Sequence, residues 1–173
     1  MKGKTVLNTF SYTGSLSLAA RFGGASHVTT LDLSRPTIEW AKTNWKLNHL
    51  PEESSDFIFG DVFEWLPKFK KRERSFDVVI LDPPSFSRGT KGNFSTSKDL
   101  KKLHSLAVDL LNPKGLLITS INSRNVSKEQ YLDEVEAAAK SLGRKVKVLK
   151  ELGAPSSSFP KWDSLKGWVF EVS

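Results

Sequence analysis

The sequence predicts an α/β domain built on a seven-stranded, mainly parallel sheet with helices on both faces. Strand-like and helix-like segments alternate along the chain, which is the pattern of parallel strands joined by crossover helices. Val78 to Leu81 is a continuous apolar run of β-forming residues, as expected for a strand buried on both faces. The last two strands have no helix between them, so we expect them to form an antiparallel hairpin at one edge of the sheet.

Short apolar runs, most of them bounded by polar or turn-forming residues, predict the strands. In chain order they are Thr5 to Phe10, His27 to Leu31, Asp56 to Gly60, Phe76 to Leu81, Leu116 to Ile121, Val146 to Glu151 and Gly167 to Val172. We see no internal repeat and no linker, so residues 1–173 are expected to form a single domain.

Helical periodicity and end signals predict the helices between these strands. Gly23-Gly24 ends the first helix, while Ser34 is a suitable N-cap and Pro36 suits the first turn of the second. In chain order, the predicted helices are Gly14 to Phe22, a helix that follows Ser34 and runs to about Leu47, Val62 to Lys70, Ser97 to Leu111 and Lys128 to Leu142. The Gly-, Ser- and Thr-rich stretch Ser87 to Thr96 predicts a mobile loop, and Asn112 to Gly115 predicts a turn.

Composition excludes several classes of protein. With 173 residues and 38% apolar content, the chain is long enough to bury its own core. It contains no cysteine, which excludes disulfides, thiolate metal sites and a cysteine nucleophile within it. No stretch approaches a membrane span and no signal-peptide pattern follows Met1, so the simplest expectation is a cytoplasmic protein without membrane partners.

The charge is strongly basic. The net charge is +7, from 26 Lys and Arg against 19 Asp and Glu. The cations cluster in Lys68 to Arg74, Lys98 to Lys102 and Arg144 to Lys150. This distribution favours a polyanionic partner, although a solvated basic surface explains the charge equally well.

The end of the fourth predicted strand has the character of an active-site edge. Asp82 follows the apolar run, and Pro83 and Pro84 stop the strand because they lack amide donors. Ligands of open α/β sheets bind outside such carboxyl ends of the strands. A carboxylate, a rigid carbonyl and the aromatic face of Phe86 could hold a flat nitrogenous group, while the plainer interpretation is a Pro-rich turn after a strand.

A nucleotide-like ligand is expected beside the first strand, at the loop Asn8 to Gly14. This loop lacks the Gly-x-Gly-x-x-Gly pattern that binds a pyrophosphate, so one glycine with hydroxyl neighbours suits a cofactor that contains adenosine but no phosphate. Asp32 ends the second strand, where an acid accepts hydrogen bonds from ribose hydroxyls, and Asp61 follows the third, near an adenine edge. Each acid alone is explained as a turn residue, but the ordered set is less easily accidental.

These segments resemble class I S-adenosylmethionine-dependent methyltransferases, which have a Rossmann-like fold. Within that superfamily they look like the catalytic domain of bacterial 23S ribosomal RNA methyltransferases that modify cytosine C5 or guanine N7. The matching segments, which cover nearly the whole chain, are Leu7 to Gly14, Leu31 to Ser34, Asn44 to Asn48, Gly60 to Phe63, Asp82 to Phe86 and Phe159 to Gly167.

The resemblance implies S-adenosylmethionine as methyl donor, S-adenosylhomocysteine as product and a base in ribosomal RNA as acceptor. The cofactor-binding residues that it implies are Phe10, Ser11, Tyr12, Thr13, Gly14, Asp32, Leu33, Ser34, Asp61, Val62 and Asp82. For the acceptor base we expect Asp82 and Pro83 to orient it, Phe86 to stack on it and Asn122 to contact its edge. Such enzymes usually carry an RNA-binding module ahead of this domain, and since nothing precedes the first strand we expect a catalytic core.

Two departures from the family pattern bear on the acceptor. Methylation of cytosine C5 requires a cysteine thiolate, which this chain lacks, and Ser120 to Ser123 looks like the polar segment of the guanine N7 enzymes. Guanine N7 is therefore the favoured acceptor atom. In the last loop, Gly153-Ala154-Pro155 stands where relatives often have Asp-His-Pro, so a substrate contact is expected to differ there.

Other candidate residues have structural explanations. His27, His49 and His104 lack metal-ligand spacing, so no metal is predicted. Trp40, Trp45 and Trp65 fall on helices, where burial is expected, whereas Trp162 could meet substrate or pack. Arg88, Lys91 and Lys98 are candidates for phosphate contacts or solvated charges. Two alternative functions stay open: a methyltransferase acting on protein or a small molecule, and a non-catalytic RNA-binding domain that retains the fold.

Overall fold

In the part of the chain that the structure describes, seven of the nine strands form one mixed sheet with helices against both faces. The computed structural model describes the backbone of residues 1–84, 86–89, 92–123, 126–153 and 165–173, and the side chains of all of these except residues 86–98. The strands are β1 (Thr5–Thr9), β2 (His27–Asp32), β3 (Ser55–Phe59), β4 (Phe76–Leu81), β5 (Phe86–Gly89), β6 (Gly92–Ser95), β7 (Leu111–Asn122), β8 (Val146–Gly153) and β9 (Leu165–Val172). The helices are α1 (Ser15–Phe22), α2 (Arg35–Leu47), α3 (Val62–Lys71), α4 (Thr96–Asp109) and α5 (Lys128–Ser141).

The strand order of the large sheet is β3-β2-β1-β4-β7-β9-β8. The first five strands in this order are parallel to one another. Strand β9 lies between β7 and β8 and is antiparallel to both. The predicted seven-stranded α/β sheet with an antiparallel edge is confirmed. Because the order reverses at β1, the crevice between β1 and β4 lies at a topological switch point, where open α/β sheets bind ligands.

Each face of the sheet has its own core. Side chains alternate along a strand, so Leu7, Leu81 and Leu117 are buried on the face covered by α3, α4 and α5. Val6 and Val78 are buried on the opposite face with residues of α1 and α2. Each such burial contributes about 1.5–3 kcal/mol. The alternation therefore determines which face each residue at a strand end turns to.

Three local predictions are wrong. The expected loop within Ser87 to Thr96 contains β5 and β6, an antiparallel pair whose register is set by Gly89 opposite Gly92. Residues Asn112 to Gly115 do not separate two elements but form an irregularity inside β7, where the pairing with β4 shifts. Trp40 is 57% exposed on α2, whereas Trp45 on the same helix is 1% exposed. The sequence contains turn-forming residues in both segments, but composition does not reveal the strand pairing that these segments make.

A buried polar cluster lies under β7 on the face covered by α4 and α5. The Tyr131 hydroxyl contacts Thr119 Oγ1 and lies 3.0 Å from His104 Nε2, and its ring stacks on Trp168 with 4.9 Å between centroids. His104 is fully buried, and this burial lowers the pKa of its imidazole to about 3 because the charged form is desolvated. His104 is thus neutral in the folded protein at all ordinary pH values.

The buried imidazole predicts a specific loss of stability in mild acid. The folded state binds fewer protons than the unfolded state between pH 6.5 and 3, so the free energy of unfolding falls as pH drops through this window. The loss approaches its limit of roughly 1.4 kcal/mol per pH unit below the unfolded pKa. His104→Gln, which is never charged, should show a flatter decline of the urea midpoint between pH 7 and 5, even if its stability at pH 7 is lower.

His49→Gln is the matched control, since His49 is exposed. It should keep the parental pH dependence. The prediction would be contradicted by equal pH slopes in the two variants.

Candidate active site

The loop between β1 and α1 is held in an unusual backbone conformation. Phe10 and Tyr12 have φ angles of 52° and 49°, and Gly14, the N-cap of α1, has φ 81°. The left-handed region costs a non-glycine residue on the order of 1–2 kcal/mol. Two bonds to β2 offset this strain: Ser11 N–H donates to the Leu31 carbonyl at 3.1 Å, and Tyr12 N–H donates to Asp32 Oδ2 at 2.8 Å.

Helix α2 packs closely against this loop. A Cβ on Gly14 would lie 3.0 Å from Ala41 Cβ, so a side chain there would push the loop and helix apart. Asn44 Nδ2 donates to the Thr13 carbonyl at 2.9 Å. Gly14 is therefore required both by its positive φ and by this contact.

Asp32 joins the loop to the start of α2. Besides Tyr12 N–H, its carboxylate accepts from Ser34 N–H at 2.9 Å and Thr37 Oγ1 at 3.1 Å, both on Oδ1. A carboxylate offers about four acceptor sites, so one remains, on Oδ2. The candidate ribose acid is thus fixed in position and keeps a site for a ligand hydroxyl. Leu33 and Ser34 follow it, and Ser34 caps α2.

The remaining candidate cofactor residues lie at the same edge of the sheet. Ser11 is 6% exposed, and its Oγ has no hydrogen-bond partner among the described residues. Asp61 caps α3 by accepting from Phe63 N–H at 2.9 Å, and Val62 behind it is 3% exposed. An unpartnered buried hydroxyl is costly unless a ligand or water bonds to it, so Ser11 is a further contact for a polar ligand.

The residues expected to contact the acceptor base lie at the ends of β4 and β7, and we call this region the acceptor edge. Asp82 is exposed, Pro83 is buried, and Ser120 Oγ donates to Asp82 Oδ1. Asn122, two residues beyond Ser120, shares its face of β7 and is also exposed. The structure thus places Asp82, Pro83 and Asn122 at the same edge of the sheet as the loop that follows the neighbouring strand β1.

Sequence reasoning missed Ser120 as a partner of Asp82. The contact depends on Leu81 lying opposite Thr119 in the β4–β7 register, which places the next residues side by side. The available signal was the polar alternation of Ser120 and Asn122 at a strand end.

Several candidates lie outside the described residues. These are the side chains of Phe86, Arg88 and Lys98, and the whole of Lys91, Ala154, Pro155 and Trp162. Among the described residues, no three His, Asp or Glu side chains are grouped as metal ligands would be. Within the same part of the chain, every helix is too short or too polar to cross a bilayer.

Comparison with known proteins identifies the family. Residues 1–169 match the family model of S-adenosylmethionine-dependent methyltransferases. The chain belongs to this family. Ribosomal RNA large subunit methyltransferase I of Photobacterium profundum is 35% identical to this chain over 177 residues, and YwbD of Bacillus subtilis is 36% identical over 170 residues. These matches cover 99% and 95% of the chain but 45% and 43% of the relatives, so the chain spans about half their length.

Solved structures agree with this assignment. SMU.776, a putative methyltransferase crystallised in complex with SAH, is 32% identical to this chain with a TM-score of 0.90, and the match covers 98% of this chain and 45% of that protein. An S-adenosylmethionine-dependent methyltransferase from Agrobacterium tumefaciens is 25% identical with a TM-score of 0.75 and covers 99% and 56% of the two chains. The methyltransferase fold is therefore shared over nearly the whole length of the chain.

The residues at the β1–β2 edge fit the cofactor of the family, S-adenosylmethionine. The free acceptor site of Asp32 suits a ribose hydroxyl, the unpartnered Ser11 hydroxyl suits a polar group, and Gly14 keeps the loop close to α2. None of these groups requires a phosphate. The predicted roles of the individual residues stay predictions, and the geometry is compatible with them.

The charge of Asp32 generates a prediction about cofactor binding. Asp32→Asn keeps an oxygen acceptor but removes the negative charge that strengthens a bond from a ribose hydroxyl. The affinity for S-adenosylmethionine should fall by about 1.5–3 kcal/mol, measured by titration calorimetry.

Asp109→Asn removes an equal charge at the far end of α4, where Asp109 pairs with Lys70, and should leave the affinity unchanged. A parental Kd in Asp32→Asn, together with a parental melting temperature, would show that Asp32 does not contact the cofactor.

Proposed function

We propose that the chain is the catalytic domain of a methyltransferase acting on large-subunit ribosomal RNA, with guanine N7 as the acceptor atom. The observation that supports this proposal most directly is the position of the exposed Asp82 carboxylate. Ser120 fixes it at the end of β4, next to the candidate cofactor loop that follows β1. Relatives that are ribosomal RNA large subunit methyltransferases, such as that of Photobacterium profundum, and the net charge of +7 support RNA as substrate. Ribosomal RNA as substrate would imply action in the cytoplasm.

The acceptor edge suits guanine for a simple chemical reason. An ionised carboxylate only accepts hydrogen bonds, and guanine presents N–H donors at N1 and N2 on one edge and an unprotonated N7 on the other. A guanine held by Asp82 through those donors leaves the N7 lone pair free. S-adenosylmethionine supplies an electrophilic methyl group when bound. No proton leaves N7, so positioning by the protein supplies most of the rate.

Ser120 and Pro83 give the carboxylate a fixed orientation. Ser120 Oγ holds Asp82 Oδ1, which leaves Oδ2 for the base. Pro83 is buried and has a fixed φ, so the backbone that carries Asp82 has little freedom. Asn122 is the proposed edge contact of the base, and stacking on Phe86 stays an expectation from the sequence.

Other acceptors are distinguishable. Methylation of cytosine C5 needs a thiolate, and this chain contributes no cysteine. Transfer to an exocyclic amine is the second candidate, because Asp82 and the Pro83 carbonyl together provide two acceptors for the hydrogens of an amine. Protein or small-molecule targets, or a domain without activity, would leave the RNA unlabelled.

The test is methyl transfer from radiolabelled S-adenosylmethionine to ribosomal RNA from a strain that lacks the enzyme. Both the naked RNA and large subunits are offered, and the nucleosides are identified after digestion. We expect 7-methylguanosine with the parent chain and at least a roughly 100-fold lower rate with Asp82→Ala, a loss far larger than any loss of cofactor affinity.

Label in 5-methylcytosine or in a methylated exocyclic amine would overturn the guanine N7 assignment. Label in protein, or no label in RNA from a chain that binds S-adenosylmethionine, would overturn the RNA methyltransferase proposal itself.

The Ser120 contact predicts a separable effect on the rate of transfer. Ser120→Ala removes the donor to Asp82 and should lower kcat by about tenfold or more, the value of a hydrogen bond to a charged group, without changing cofactor affinity. Ser120→Thr keeps a hydroxyl and should retain most activity. Ser141→Ala, which removes a hydroxyl bonded to the Ala138 carbonyl on α5, serves as control. Equal rates for Ser120→Ala and Ser141→Ala would contradict the positioning role.

A further inference from the structure

Two of the three basic segments of the sequence come together in the fold. Residues 68–74 lie on and after α3 and residues 98–102 on α4, and these helices pack side by side on one face of the sheet. The third segment, residues 144–150, lies along and just before β8, which forms one edge of the sheet. There Arg144 donates to four backbone carbonyls and so has a structural role.

The cations of α3 divide into two groups. Lys70 pairs with Asp109 at 2.7 Å and Arg74 pairs with Asp56 at 2.9 Å, so both tie the helix to its surroundings. Lys71 and Arg72, by contrast, are exposed. No carboxylate in the described part of the chain lies within salt-bridge distance of Lys71, Arg72 or the exposed Lys102 of α4.

Aromatic faces hold several of these cations in place. Lys68 Nζ lies 5.0 Å and Arg72 Cζ 5.8 Å from the ring centroid of Trp65, and Lys102 Nζ lies 5.4 Å from that of Phe63. Both rings are half-buried against the core. Such contacts contribute about 0.5–1 kcal/mol at exposed sites and order the cation. A preordered cation loses less side-chain entropy when it binds an anion.

This cluster begins at the candidate active site. Helices that follow parallel strands start at the carboxyl edge of the sheet, and Phe63 is two residues from Asp61 at that edge. From Phe63 to Arg72 the helix rises about 14 Å, at about 1.5 Å per residue. The cations therefore extend from the rim of the site along the outside of the domain.

Neither the cofactor nor helix stability accounts for the cluster. S-adenosylmethionine carries no phosphate that would need cations. Lys71 and Arg72 lie at the C-terminal end of α3, where the helix dipole favours positive charge, but Lys102 lies in the N-terminal half of α4, where it does not. A helix-dipole explanation covers only part of the set.

We propose that Lys68, Lys71, Arg72 and Lys102 form a surface that binds the phosphate backbone of RNA beside the active site. We call it the α3–α4 cationic surface. The proposal rests on the proposed function, since it assigns where the RNA substrate of that site continues. Phosphate contacts of this kind position a nucleic acid without reading its sequence.

The test measures RNA affinity as a function of salt. Lys71→Gln, Arg72→Gln and Lys102→Gln are combined in one variant, leaving Lys68 with its Glu64 partner. The probe is the ribosomal RNA used for methyl transfer, and the readout is the slope of log K against log salt. Each lost phosphate contact reduces the slope by about 0.7–0.9, so the triple variant should lose about 2.1–2.7. Cofactor affinity and melting temperature should stay at parental values.

Two matched variants make the result specific. Lys145→Gln, Lys147→Gln and Lys150→Gln remove the same charge from exposed positions on and just before the edge strand β8 and should preserve the slope. Lys71→Arg, Arg72→Lys and Lys102→Arg retain the charge and should preserve it as well.

An unchanged slope in the first variant would overturn the proposed α3–α4 cationic surface. An equal loss of slope in the control variant at β8 would overturn it as well. Neither result would contradict methylation of RNA by the parent chain. Displacement of the RNA by poly-glutamate as effectively as by poly-uridylate would assign the surface to acidic proteins and overturn RNA as its partner. A parent chain that methylates no RNA and binds none would overturn the proposed function and the surface together.

Discussion

The parallel register of the central strands is the constraint on which the candidate site depends. Thr9 lies opposite Leu31 on one side and Leu81 on the other, and Leu81 lies opposite Thr119. The chain therefore leaves the sheet at nearly one level from β1, β2 and β4, while β7 continues beside β9 to Asn122. A shift of one residue in any pair would turn that strand's side chains to the other face. The buried apolar residues of both cores prevent such a shift, so the core determines where Asp82 points.

The loop after β1 is strained, and contacts with the neighbouring strand and helix offset the energetic cost of this strain. The left-handed residues Phe10 and Tyr12 persist because bonds to the end of β2 hold them. Beneath them, Ser17 Oγ accepts from both Asn8 Nδ2 and Thr30 Oγ1 at 2.9 Å, so the end of β1 is tied to α1 and β2 in the interior. Strain that is held by several independent contacts is characteristic of sites where geometry matters for function.

The sequence allowed much of the fold to be predicted, because the signals for parallel strands and crossover helices are local. The strand ends at Asp32, Asp61 and Asp82 could be identified for the same reason. What escaped prediction has more than one cause. The contact of Ser120 with Asp82 depends on the pairing of two strands that are distant in sequence, so no window around either residue contains it. The pairing of β5 with β6 is local, but its Gly, Ser and Thr residues are also typical of a loop.

Helix α3 connects the candidate cofactor edge with the proposed α3–α4 cationic surface. Its first turn is fixed by the Asp61 cap at the cofactor edge, and its far end by Arg74, which bonds Asp56 and lies over the rings of Phe69 and Phe76. Burial raises the pKa of Asp56, but hydrogen bonds from His27 and Arg74 outweigh it and hold the pKa below its ordinary value, so Asp56 stays charged. With both ends held, the exposed cations between them keep a constant distance from the candidate cofactor edge. In the proposed function, a phosphate bound on the outside of α3 would limit how far an RNA substrate reaches into the candidate site. Net charge alone does not specify such a limit.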